Sequence, residues 1–208
     1  MKLMVFTKAA CVALIPFLSA CDVVMTADIN EDATITTHQV QYFDEEACDL
    51  IEGAAPKPIC RPSKASDKEK IVYNAGTNTY EITPPGSPRT QSLEKFAKGL
   101  AKEKLASASW DEAARELHFE MDVAALSSVA RRGPSNKTPK PSTEFKYGPL
   151  ALHEDHNFIM TFNAKEITRT TGTISSDGTS TTFTIPMSYF VYGIGDAGYD
   201  EISFTAKY

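Results

Sequence analysis

The sequence predicts an α+β fold, a mainly antiparallel sheet built from hairpins with one long amphipathic helix and one short helix packed on it. Three observations predict it. Runs rich in Val, Ile, Thr, Phe and Tyr outnumber helical runs and do not alternate with them. Polar turn residues separate consecutive runs at hairpin spacing. Only the stretch from Gln91 to Leu105 keeps a sustained helical period. The chain has 208 residues, enough for one domain with a real core, and shows no internal repeat.

The N-terminus is read apart from the fold. Lys2 and Lys8 flank an apolar run from Ala9 to Leu18, too short for a bilayer core that takes about 20 apolar residues, so residues 1–20 read as a signal peptide. The seam that follows, Leu18-Ser19-Ala20-Cys21, resembles the lipobox of bacterial lipoproteins. That resemblance implies that the chain is cut before Cys21. It also implies that the cysteine sulfur takes a diacylglycerol and that the new amino group is acylated, with palmitate-like chains. Several chains at about 0.8 kcal/mol per buried methylene make a stable anchor where one is marginal. The expected organisation is a signal peptide over 1–20 and a single α+β envelope domain over 21–208, with the membrane as partner through the lipid. Asp22 resembles the signal that keeps lipoproteins of enteric bacteria in the inner membrane, which favours the periplasmic face of that membrane over the outer one.

Loss of Lys2 and Lys8 takes 21 basic side chains to 19 against 27 acidic ones, a net charge of −8. That balance argues against nucleic acid, which needs a basic face. Of the four cysteines, Cys11 leaves with the signal and Cys21 carries lipid, which leaves Cys48 and Cys60. Outside the cytoplasm an even pair is most simply a disulfide. The loop it closes, with Gly53-Ala54-Ala55-Pro56-Lys57-Pro58 inside, is worth about 3 kcal/mol on the chain-entropy account. The rivals are a two-thiolate metal site, for which no histidine lies nearby to complete the shell, and a pair of free thiols.

The elements follow in order. VMTADI and TITTHQVQY form a hairpin around Asn30-Glu31-Asp32-Ala33. Asp44 caps a short helix that carries Glu45, Glu46 and Cys48 and stops near Gly53. IVYNAGTNTYEI is a second hairpin around Ala75-Gly76-Thr77-Asn78. In the helix from Gln91 to Leu105 the apolar stripe is Leu93, Phe96, Ala97, Leu100, Ala101 and Leu105, and Lys98, Lys102 and Lys104 lie towards its negative pole. ELHFEMDV alternates, sending Leu117, Phe119, Met121 and Val123 to one face and Glu116, His118, Glu120 and Asp122 to the other. Residues 131–149, basic and with four prolines, read as an exposed loop. NFIMTFNAKEITRT, STTFTIPMSYFVY and EISFTAKY are strand-like, with a hairpin turn at Asp177-Gly178.

Chemistry is sparse. The run from Gly193 to Gly198 matches G-x-G-x-x-G but precedes a strand, so it reads as a loop and not as a phosphate cradle. His153-Glu154-Asp155-His156 lacks metalloprotease spacing, and no metal or cofactor is expected. His118 beside Glu116, Glu120 and Asp122 suits acid–base work only under a pocket, so a tethered enzyme using His118 or the His153/His156 turn is the alternative reading.

The opening CDVVMTADINEDATITTHQVQYFDEEACDL is similar to that of LppM-type bacterial lipoproteins, with a strand directly after the cysteine, an acidic turn, a second strand and an acidic-capped helix. That resemblance implies an α+β domain linked to lipid or glycolipid binding. The expected function is a non-catalytic binding or interaction module held at the envelope by its anchor, with a lipid or an envelope protein as partner. Leu93, Phe96, Leu100, Phe119 and Met121 are ordinary core if the helix closes on strand 116–123, and the wall of a hydrophobic pocket if the two are splayed.

Overall fold

The computed structural model describes residues 21–45, 48, 70–84, 86–103, 106–125, 156–189 and 196–208. The signal peptide, Cys60, the loop 131–149, the residues His153, Glu154 and Asp155, and the glycines Gly193 and Gly195 lie outside them. The described chain folds into two sheets. In the larger, the order is β10 (Thr173–Ile174), β11 (Ser180–Pro186), β8 (Asn157–Asn163), β1 (Cys21–Ile29), β2 (Thr34–Asp44), β4 (Thr79–Thr83), β3 (Lys70–Asn74), with β5 (Arg89–Ser92) also on β2. In the smaller the order is β6 (Ala106–Asp111), β7 (Glu116–Asp122), β12 (Glu201–Lys207), β9 (Glu166–Thr170).

Turn chemistry sets the first hairpin. Asp32 Oδ1 accepts from the Thr34 amide at 3.1 Å and from its hydroxyl at 2.6 Å. Asn30 Nδ2 donates to the Thr34 and Thr36 hydroxyls. Ala33 takes φ 58°, and the register pairs Ile29 with Ile35 and Cys21 with Phe43. Short polar side chains that bond their own backbone stabilise such a turn before any strand pairs. The second hairpin turns at residues 75–78 as the sequence indicates, with Asn78 at φ 54°.

The helix corrects the reading. It spans Leu93–Glu103, 11 residues, and is not the long element expected over Gln91–Leu105. Gln91 and Ser92 belong to β5, whose residues 89–92 pair with Thr34–Thr37 of β2. The Ser92 hydroxyl accepts from the Lys95 amide and starts the helix from that strand end. Glu45 and Cys48 are helical where the second helix is expected, and its remaining residues lie outside the described ones. Cys48 is fully buried and held in a disulfide. The expected partner, Cys60, lies outside the described residues.

Pairing is antiparallel except between β1 and β8, which run parallel from Val23–Phe158 to Asp28–Asn163. NFIMTFNAKEITRT, which reads as one run, is two strands in different sheets. The chain crosses over at Ala164 and Lys165, whose amides donate to Thr179 and to Lys207. The sheets meet across an aromatic core. Phe162 of β8 lies 4.5 Å from Phe204 of β12 and 5.2 Å from Phe119 of β7, centroid to centroid. Such pairs add about 0.5–1.5 kcal/mol each beyond their buried area. Arg115 fastens one end of the sandwich, donating to the carbonyls of Tyr208 at 2.7 Å and Glu31 at 2.6 Å.

Candidate functional site

The helix packs against β6, the neighbour of β7, and meets β7 through the Phe96 and Phe119 rings. Leu93 and Phe119 are buried and Met121 nearly so, while Phe96 and Leu100 are half-buried against the same core. The five side chains named as core or pocket wall are therefore brought together, and Phe96 lies 6.3 Å from Phe119 with the rings 18° from parallel. On the outer side of the helix Lys98 pairs with Glu94, both well exposed, a contact worth about 0.3–0.5 kcal/mol.

Beside that seam is an open recess of about 400 Å³, lined by Ala101, Ala106, Ser107, Glu120, Met121, Asp122 and Glu201. Its acidic rim follows from register, since β12 sets Glu201 opposite Asp122 and β6 sets Ser107 opposite Glu120. Sequence reasoning placed Glu120 and Asp122 on the polar face but missed Glu201, whose neighbours are decided by a strand about 80 positions away. His118, on the same face, has its Nδ1 3.0 Å from the Thr205 hydroxyl and its Nε2 3.9 Å from Glu116. Among the described residues no three His, Cys, Asp or Glu side chains converge as metal ligands.

Of the predicted His153/His156 turn, His156 is described, and it lies at the larger sheet. His156 Nδ1 is 3.9 Å from Asp22 Oδ1, and the same oxygen accepts from the Asn157 amide at 2.6 Å. Asp22 thus ties the start of β1 to the start of β8. Next along that row Tyr42 stands opposite Glu81, and burial first, then the Glu81 charge, push its phenol above the usual value.

Cys21 is the first residue of β1 and pairs with Phe43. From there the register continues through Tyr80 of β4 to Tyr73 of β3. Tyr73 and Tyr80 are 4.8 Å apart, and Tyr73 is 47% exposed and Val72 44%. Among the described residues no helix is long and apolar enough to cross a membrane.

No family model and no curated protein matches the chain. The NMR structure of the folded domain of Mycobacterium tuberculosis LppM is similar over 90% of this chain and 90% of that one, at 11% identity and a TM-score of 0.42. At that identity and score the likeness gives this chain no ligand and no residue role.

Proposed function

We propose that the chain is an envelope lipoprotein, anchored by acylated Cys21, whose domain is a non-catalytic interaction module working at the bilayer surface. One observation carries the reading: the residue that the lipobox-like motif marks for cutting and acylation is also the first residue of β1, a strand paired on both sides. With no tether between lipid and sheet, the acyl chains would hold the strand start against the headgroups. Surface docking is favoured over an interior ligand because Phe96 lies on Phe119 where a pocket would open. The resemblance at Asp22 favours the periplasmic face of the inner membrane. A Cys48–Cys60 disulfide belongs to the same reading, since the oxidising side of the membrane sustains it.

The test is metabolic labelling with a fatty-acid alkyne in cells that make the wild type or Cys21→Ser. The wild type is expected to be labelled and to sediment with membranes, and the variant to lose both. A wild type that takes no label, or a variant that keeps it, overturns the reading.

A further inference from the structure

We propose that the β3–β4 hairpin is a second membrane contact, seating Tyr73 and Val72 in the headgroup region of a zwitterionic bilayer beside the lipid on Cys21, with Tyr80 holding Tyr73 against the core. The inference rests on the anchoring reading above and adds a surface to it. Tyr73, Tyr80, Phe43 and Cys21 occupy one cross-strand row. At about 4.8 Å per strand step, Tyr73 stands roughly 14 Å from Cys21 along the sheet. It is at the level of the anchor and not above it. The next row, Asp44, Thr79 and Asn74, and the turn 75–78 project past that level. A bilayer that holds the Cys21 lipid therefore meets the hairpin.

The chemistry of the hairpin fits that neighbour. Tyrosine presents an apolar ring and a polar tip, the combination enriched where membranes meet water. Val72 and Tyr73 are successive residues of a strand, so they leave it on opposite faces, and both are exposed. A protein partner laid on the sheet would cover one face, whereas an interface into which the hairpin dips surrounds both. The hairpin's one cation, Lys70, is the first residue of β3 and lies three residues behind Tyr73, away from the turn; residues 71–83 hold no lysine or arginine and one carboxylate, Glu81. Anionic lipid would gain nothing from these residues nearest the bilayer, so attraction comes from the Tyr73 ring and the valine.

The chain has one tryptophan, Trp110 on β6 of the other sheet, which serves as the internal control. Full-length protein, wild type and Tyr73→Trp, is incorporated into phosphatidylcholine vesicles whose acyl chains are brominated near the headgroup, and floated. The emission added by the Tyr73→Trp substitution is expected to fall by about half relative to unbrominated vesicles, since an interfacial ring lies at that depth, while Trp110 emission is unchanged. Vesicle-bound protein with unquenched added emission overturns the proposal alone and gives the hairpin to a protein partner. Protein that fails to float overturns the anchoring reading, and the proposal with it.

Discussion

Phe96 of the helix and Phe119 of β7 lie nearly parallel, 6.3 Å between ring centres, and this contact ties the helix to the sheet core. Phe119 also packs on Phe204 at 5.1 Å and on Phe162 at 5.2 Å. Phe119→Ala is expected to cost about 3–5 kcal/mol, the usual range for a fully buried phenylalanine. Phe96→Ala, which removes a half-buried ring, should cost distinctly less. Urea unfolding of both variants checks the order, and equal costs would mean that the helix is bound more tightly than its exposure indicates.

Gly172 sits where the chain passes closest to β11. A Cβ there would meet the Phe183 ring at 2.6 Å and the Thr182 carbonyl oxygen at 2.7 Å. The ring is fully buried and the carbonyl is backbone of β11, paired between β8 and β10, so neither yields cheaply. Gly172→Ala should destabilise by about 1–3 kcal/mol, the cost typical of overpacking. Thermal melting of the variant reads this directly, and an unchanged midpoint would contradict the packing described.

What the sequence made legible was local. Alternation in ELHFEMDV marked the buried Leu117, Phe119 and Met121, and the turn residues at 30–33, 75–78 and 177–178 fell where the hairpins turn. What it hid depends on distant partners. Strand β6, ASASWD, was missed because alanine and serine have little strand preference, and only the pairing of residues 106–111 with β7 makes it one. Gln91 and Ser92 fit the helical period, yet β2 claims them as strand. The parallel union of β1 with β8 joins segments more than 130 positions apart, and no local pattern reports it. For the same reason the acidic rim that includes Glu201, and the row linking Cys21 to Tyr73, emerge only with the register.

Asp177 gives the expected pH dependence. Its carboxylate accepts from the Ser175 hydroxyl and from the amide and hydroxyl of Thr179, which lowers its pKa from 3.8 to about 2. A carboxylate depressed in the folded state stabilises it fully above the ordinary value and loses that effect as pH falls through the folded one. The stability gap between wild type and Asp177→Asn should therefore be widest above pH about 4 and close on acidification towards pH about 2. Urea midpoints of the two proteins across that interval measure it. A gap that stays constant with pH would show that the turn does not use the charge.

The central claim, that Cys21 is at once lipid anchor and first residue of the sheet, is tested most directly by mass spectrometry of the N-terminal peptide of protein taken from membranes. The account predicts a mature chain that begins at Cys21 and carries diacylglyceryl and amide-linked acyl groups, with Asp22 next. A mature chain that begins elsewhere, or at an unmodified Cys21, would contradict it.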